Sequence, residues 1–213
     1  MQTLAFTASS PRIRGLELGV SASFNRAMLV RNYNAGSEIY GQGEKAGALY
    51  EVDYGAVRIH RLLADGRRQV IAFHLAGETF GFEVGGVRRF FAEAITATGV
   101  RPVSDPANDS GASSMMELTL KNLIKAQEHL LVIGRQCAVE RIAAFLIDMA
   151  ERQGDETSVE LPMPRLDIAD YLGLTIETVS RTFAKLRASG VIALQGTRTV
   201  LLTKRDTLED LCR

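Results

Sequence analysis

Short apolar runs separated by turn residues fill the first half of the chain, from about residue 29 to residue 103. The runs at 48–52, 56–60 and 69–73 have the length of strands, and turn signals such as Asp65-Gly66 lie between them. Short strands at a spacing of about 8–12 residues predict an all-β sandwich or barrel. Asp65-Gly66 predicts a hairpin, because glycine tolerates a positive φ.

A turn-rich hinge over 104–111 precedes a long helical pattern. Uncharged positions then recur at alternating spacings of three and four, which is the a/d stripe of a heptad repeat. The members of this heptad stripe are Met116, Thr119, Leu123, Ala126, Leu130, Ile133 and Cys137. The stripe predicts a parallel coiled-coil contact with a second copy of the chain; the alternative is that it packs only on its own β domain.

The pattern changes again in the last third of the chain. A second helix is predicted over about 138–152, and a short helix over 166–171. After a tight turn, Thr175 is a good N-cap for a helix that Gly190 ends. A two-stranded hairpin over 191–202 follows, and this order predicts a winged helix-turn-helix.

Composition limits the function classes. The chain is 46% apolar and 23% charged with a formal net charge of zero, so any basic surface must be local. Cys137 and Cys212 form no CxxC pair, which argues against zinc and iron–sulfur sites, and we expect no metal and no cofactor. No apolar run approaches the ~20 residues of a membrane span, so we predict a cytoplasmic protein with no membrane contact. We find no Ser-His-Asp order, metal-ligand spacing or phosphate loop, and we predict that the chain is not an enzyme.

The local charge indicates double-stranded DNA as a partner. Six basic residues and no acid lie between Thr178 and Arg205, namely Arg181, Lys185, Arg187, Arg198, Lys204 and Arg205. Phosphate neutralisation supplies most non-specific DNA affinity, although a solvated basic helix face would show the same pattern. Glu177, Ser180 and Arg181 share one helix face and are predicted to read base edges. For Glu177, the alternative is an acid favoured by the helix dipole.

The segment 172–183, LGLTIETVSRTF, resembles the recognition segment of the CRP/FNR regulators. The segments 39–44, 49–52, 55–58, 65–69 and 73–81 resemble the β-roll of that family in the same order, so the resemblance runs from about residue 29 onward. Glu-x-x-Ser-Arg is similar to the FNR/FixK branch, whereas the cyclic-AMP branch has Arg at the position of Ile176.

The resemblance implies an α+β fold with an N-terminal antiparallel β-roll (jelly roll), a long dimerisation helix and a C-terminal winged helix-turn-helix. We expect the β-roll with an N-terminal extension over 1–108, the dimerisation helix over 109–137 and the DNA-binding domain over 138–213. The homodimer interface would contain Met116, Leu123, Ala126, Leu130, Ile133 and Cys137.

For DNA, the resemblance implies a palindromic TTGAT-type site. Arg165, Thr175, Thr178, Gly196 and Thr197 match family positions near phosphates, and the charge pattern adds Lys185 and Arg198. A regulator of this kind, and an activator in particular, implies RNA polymerase as a partner.

The β-roll departs from the cyclic-nucleotide binders. Gly81 is followed by Phe82-Glu83-Val84, only four residues separate Glu83 from Arg88, and Arg89 stands where a small hydroxyl residue is expected. The four cysteines of oxygen-sensing relatives are missing. The chain is therefore similar to the FixK group, which implies an effector-independent regulator of low-oxygen or nitrogen-metabolism genes. The alternative is a sensor gated by haem or a metabolite, for which His60, His74 and His129 are the only histidines.

Overall fold

The computed structural model describes residues 30–103 and 109–212, and within that range the side chains of 109–114 are not described. The predicted N-terminal extension and positions 104–108 of the predicted hinge lie outside the described residues. Positions 109–111 of that hinge instead open a long helix. Asp and Ser are turn formers, but they are also favoured at helix N-termini, so the composition of this segment fits either structure.

The first half of the described chain is an antiparallel β-roll of two four-stranded sheets, in the orders β1-β8-β3-β6 and β2-β7-β4-β5. Every strand pair is antiparallel, which confirms the predicted roll. The strands are β1 Arg31–Tyr33, β2 Glu38–Tyr40, β3 Leu49–Tyr54, β4 Ala56–Leu62, β5 Arg68–Leu75, β6 Thr79–Phe80, β7 Phe91–Ala94 and β8 Thr98–Val103.

Inward-facing apolar residues hold the two sheets together. Val52, Val57 and Val100 are fully buried, and Phe80 lies against the rings of Tyr40 and Tyr50 at centroid distances of 6.1 and 5.6 Å. The alternation along the strands arises because successive side chains point to opposite faces of a sheet.

Glycines with a positive φ make two of the turns in the roll. Asp65-Gly66 forms the predicted turn between β4 and β5, where Gly66 has φ 82° and the Asp65 carboxylate accepts the Arg67 N–H at 3.0 Å. Gly55, with φ 84°, joins β3 to β4. An added Cβ at Gly55 would lie 2.5 Å from the Ala97 carbonyl oxygen, so no larger residue fits without movement of the backbone.

The long helix α1 (Asp109–Ile133) turns the heptad stripe away from its own chain. Met116, Leu123 and Leu130 are 61%, 52% and 68% exposed. On the opposite side, His129 is half-buried and its ring stacks on Tyr171 at a centroid distance of 3.8 Å. The alternative reading, in which the stripe packs on its own β domain, is therefore wrong for these residues.

The helical prediction through Cys137 is four residues too long. The Arg135 N–H bonds to the Val132 carbonyl rather than to a residue four positions back, which tightens the last turn after Gly134. Cys137 is the N-cap of the next helix, α2 (Ala138–Gln153). Cys137 therefore does not continue the stripe on α1.

The C-terminal part combines α2 with three short helices and a three-stranded sheet in the order β10-β11-β9, which confirms the predicted winged helix-turn-helix. The further helices are α3 Arg165–Leu172, α4 Ile176–Ala188 and α5 Arg205–Asp210, and the strands are β9 Ser158–Glu160, β10 Ala193–Gln195 and β11 Thr199–Leu201. Gly154, with φ 69°, ends α2. Neither β9 nor α5 was predicted.

One of the two hydrophobic clusters joins the roll to the C-terminal part, and several ion pairs join them as well. Phe73 of β5 packs against Phe145 of α2 and Tyr171 of α3 at centroid distances of 6.4 and 4.9 Å. The Arg152 guanidinium donates to the Phe73 carbonyl at 2.6 Å and to both Glu78 carboxylate oxygens. Although its own burial opposes ionisation, these bonds lower the pKa of Glu78 to about 2.

Replacing Gly55 by Ala should destabilise the fold more than replacing Gly66 by Ala. Both positions have a positive φ, which costs an L-residue about 1–2 kcal/mol. Only Gly55 adds a backbone clash, since nothing lies within 4 Å of a Cβ at Gly66. We expect the clash to add about 1–3 kcal/mol to the loss in free energy of unfolding, as overpacking does. Urea denaturation of both variants measures it, and equal losses would refute the close contact.

Candidate nucleic-acid interface

A tight turn sets the angle between α3 and α4. Gly173 ends α3 in the left-handed conformation, with φ 63°, and its N–H bonds to the Ala169 carbonyl. Thr175 then begins α4, as predicted, and its hydroxyl accepts the Thr178 N–H at 3.2 Å. This bond satisfies one of the free amides at the helix start and so fixes where the helix begins.

The two sides of α4 differ in burial. The buried side, which packs into the C-terminal core, is Val179, Thr182, Phe183 and Leu186. The exposed side, called here the recognition face, is Glu177, Ser180, Arg181 and Lys185. Spacings of three and four place these four residues in one row on the helix. The three residues predicted to read bases therefore lie together on one solvent-facing surface.

Glu177 stays ionised on this face. Hydrogen bonds from its own backbone N–H and from the Thr175 hydroxyl lower the pKa of Glu177, and the nearby positive charge of Arg181 lowers it further. A carboxylate held in this state is a hydrogen-bond acceptor only, so it suits an amino group on a base edge rather than a phosphate.

The wing adds a second exposed surface. β10 pairs with β11 so that Gln195 lies opposite Thr199, and Gly196 makes the turn with φ 71°. Gly196, Thr197 and Arg198 are all exposed. The Leu161 N–H bonds to the Arg198 carbonyl at 2.9 Å, which ties the base of the wing to the rest of the domain.

Arg165 has an unusual environment for a predicted phosphate contact. It is the first residue of α3, and its guanidinium carbon lies 3.3 Å above the Phe183 ring centre. Burial lowers the pKa of Arg165 to about 10, so it keeps its charge at neutral pH. One of its terminal nitrogens, Nη1, has no hydrogen-bond partner among the described residues.

The basic residues of the predicted window do not all serve one surface. Arg181, Lys185, Arg187 and Arg198 are exposed. Arg205, by contrast, donates to Glu209 at 2.8 Å and to Glu151 at 3.3 Å, so its charge is largely neutralised within the protein. The sequence window missed this because Glu151 and Glu209 lie outside it.

The segment of the β-roll that departs from the cyclic-nucleotide binders places a buried cation inside the roll. Arg88 is 2% exposed, and its guanidinium donates to the carbonyls of Gly81 at 2.6 Å and Ala48 at 2.8 Å. The same group stacks over the Tyr40 ring at 4.1 Å. The short spacing between Glu83 and Arg88 was the sequence signal for this change, but it gave no hint of where the Arg88 side chain lies.

Among the described residues, neither a metal site nor a membrane-spanning helix is present. Within them, no group of three His, Cys, Asp or Glu side chains is placed to hold a metal ion. None of the helices in this part of the chain combines the length and hydropathy needed to cross a membrane.

Comparison with known proteins adds independent information. A model of the Crp-like helix-turn-helix domain matches residues 140–211, and a model of the cyclic nucleotide-binding domain matches residues 30–101. Nitrogen fixation regulation protein FixK of Rhizobium meliloti is 54% identical over 184 residues, covering 86% of this chain and 87% of the relative. Transcriptional activatory protein AadR of Rhodopseudomonas palustris is 35% identical over 201 residues, covering 85% and 83%. The structure of FixK2 from Bradyrhizobium japonicum superposes with a TM-score of 0.81 at 41% identity, covering 87% of this chain and 97% of that one.

Removing the Thr175 hydroxyl should destabilise the domain. Thr175→Ala loses the bond to the Thr178 N–H and should lower the free energy of unfolding by about 0.5–2 kcal/mol. Thr175→Ser keeps the hydroxyl and should stay close to the parent protein. Thermal and urea denaturation give both values, and a Ser variant as unstable as the Ala variant would exclude the cap as the cause.

Proposed function

The chain belongs to the FixK group of the CRP/FNR transcription regulators, and from that premise we propose that it binds a palindromic TTGAT-type DNA site as a homodimer, without a small-molecule effector. The observation that carries this proposal is the recognition face, on which Glu177, Ser180 and Arg181 are exposed together. The exposed stripe on α1 supports the dimer, and the buried Arg88 of the β-roll supports the independence from an effector.

The first turns of α4 would read the bases. Arg181 can donate two hydrogen bonds to one guanine, and Glu177 can accept from a cytosine amino group. Ser180 lies between them on the same face and can bond to either kind of base. Because Glu177 is near Arg181, the pair would present an acceptor and a donor side by side.

Phosphate contacts would come from both sides of this helix. Thr175 and Thr178 stand at its start, Lys185 lies further along it, and Gly196, Thr197 and Arg198 lie on the wing. Arg165 fits the same role, since it keeps its positive charge at the start of α3.

The heptad stripe supports the homodimer. Met116, Leu123, Ala126 and Leu130 are exposed, and Ile133 is half-buried. Leu120, Ile124 and Leu131 widen the apolar face, each about half exposed or more. Monomeric proteins rarely leave a contiguous apolar surface of this kind in water, so a second copy is the natural cover. Cys137, at the N-cap of α2, would lie at the edge of this interface.

Independence from an effector rests on Arg88. The buried guanidinium stacks on Tyr40 and bonds to two carbonyls within the roll. A ligand phosphate would have to break those bonds, whereas a protein that fills its own pocket needs no ligand to order it. Of the three histidines considered for haem, His60 and His74 are buried, and each of the three lies against a different aromatic ring.

The regulated genes would serve nitrogen fixation or low-oxygen metabolism, in keeping with the name of the Rhizobium relative. We expect an activator that works with RNA polymerase in the cytoplasm, because the AadR relative is named an activator.

The test is a fluorescence-anisotropy titration of the purified, ligand-free protein at one near-physiological salt concentration. The duplexes are a TTGAT palindrome, a TGTGA palindrome and a scrambled sequence, and sedimentation measures the oligomeric state. We expect a dimer that binds tightly to the TTGAT duplex alone. Weak and equal binding to all three duplexes would overturn independence from an effector.

Arg181 and Lys185 form a matched pair for testing base reading, since both are exposed basic residues on the recognition face. Arg181→Ala should cost about 1–3 kcal/mol on the TTGAT duplex and little on the scrambled one. Lys185→Ala should weaken binding to both duplexes about equally, because a phosphate contact carries no sequence information. If Arg181→Ala lowers both affinities equally, Arg181 contacts a phosphate and the assignment fails.

A further inference from the structure

A cluster of charged side chains joins α3, the helix that supports the recognition helix, to the β-roll. It consists of Arg58, Arg68, Glu93, Asp167 and Asp170, and we call it the interdomain ion cluster. Asp167 is fully buried and pairs with Arg58 at 2.6 Å and with Arg68 through its other oxygen. Arg68 also bonds to Asp170 at 2.7 and 2.9 Å, and Arg58 to Glu93 at 2.5 Å.

The geometry of this cluster is specific. Guanidinium groups present donors in a fixed planar fork, so contacts to two carboxylates define both a distance and an angle. Buried ion pairs add little net stability, because desolvation opposes the attraction. Their effect here is to select one orientation of α3 on β4 and β5, since any other orientation would leave the Asp167 carboxylate buried without its partners.

The link between α1 and α2 would allow the DNA-binding part to change its orientation relative to the β-roll. Residues 134–137 are a four-residue turn between the two helices, so the DNA-binding part can in principle pivot there. The Arg141 guanidinium bonds to the Arg135 and Leu172 carbonyls, which ties α2 to the turn and to α3 but not to the β-roll. Contacts with the roll must therefore set the remaining orientation. They come from α2, where Arg152 bonds to the Phe73 carbonyl and to Glu78, and from α3, which the interdomain ion cluster holds.

We propose that the interdomain ion cluster positions the recognition helix for DNA in the absence of a ligand, so that Arg68, Asp167 and Asp170 are positioning residues for site binding. The inference rests on the proposed function. The clamped arrangement leaves Glu177, Ser180, Arg181 and Lys185 exposed, so the cluster holds a conformation that is open to DNA. In a dimer, two such clamps would hold the two recognition helices at the separation of successive major grooves.

The sharpest variant is Arg68→Gln, and the neighbouring Arg67→Gln is its control. Arg67 is exposed and pairs only with Asp65 in its own turn, so the two variants lose the same charge from adjacent positions. Binding is measured on the TTGAT palindrome and on a palindrome whose half-site spacing is one base pair longer. Circular dichroism melting confirms that each variant is folded at the temperature used.

We expect Arg68→Gln to weaken binding to the correct spacing by about tenfold or more, because the competent orientation becomes a smaller fraction of the population. Its preference for the correct spacing should also shrink, which a general loss of folded protein would not produce. Arg67→Gln should resemble the parent protein. Asp170→Asn should show the same losses, and the double variant with Arg68→Gln should lose less than the product of the two single losses.

Unchanged binding by Arg68→Gln would overturn the proposal, and so would tighter binding, which would make the cluster an inhibitory contact.

Spin labels provide a measurement without DNA. They are placed at Gln42→Cys and Ala188→Cys, with Cys137 and Cys212 replaced by Ser and excess unlabelled chain added. Arg68→Gln should broaden the distance distribution, and an unchanged distribution would contradict the proposal. If the parent protein fails to bind the palindrome, the proposed function fails, and the spin-label distances still decide on the cluster.

Discussion

Apolar side chains on opposite sides of one helix are the constraint on which this architecture depends. The inner side of α1 meets the protein's own core through His129 and Val132. The outer side leaves Met116, Leu123 and Leu130 in water. A helix of this kind has to meet two surfaces at once, and in the proposed dimer it serves both as a wall of its own subunit and as the contact with the second one. In that dimer, the axis of α1 is the reference from which the positions of all proposed DNA contacts are set.

The β-roll retains the frame of a ligand-binding domain but occupies its interior with its own side chains. Arg88 is the clearest case, since a cation that would suit a phosphate is bonded to carbonyls and stacked on a tyrosine. The roll provides a surface against which the C-terminal part packs. β4 and β5 carry the arginines that meet α3, and β5 also supplies Phe73 to the shared core. In the proposed function, the domain therefore acts on the DNA-binding part through shape and charge.

Local signals made much of this structure predictable from the sequence. Thr175 as a cap, Gly190 as a helix end and Asp65-Gly66 as a hairpin turn each act within a few residues, so their patterns can be read directly. The position of the recognition face followed from helical spacing alone. The prediction that α1 extends to Cys137 is wrong, because the heptad pattern continues through Gly134 and gives no sign of the turn there.

Contacts between distant parts of the chain were not predictable in the same way. The bonds of Arg58 and Arg68 to Asp167 and Asp170 join residues 99 to 109 positions apart, and no local pattern marks them. The same holds for Arg205, which sequence alone assigned to the basic surface. The three residues of β9 are too few to show an alternation, and they become a strand only because β11 provides a partner.

The hydrophobic cluster shared by the two halves determines how the protein unfolds. Ala56, Val70 and Phe73 of the roll belong to the same buried cluster as Phe145 and Ile168 of the C-terminal part. Severing the chain before α2 would strip that cluster of one wall and expose large aromatic surface to water. The roll thus completes the buried core of the winged helix-turn-helix. On heating, the β-roll and the winged helix-turn-helix should therefore unfold together in one cooperative transition.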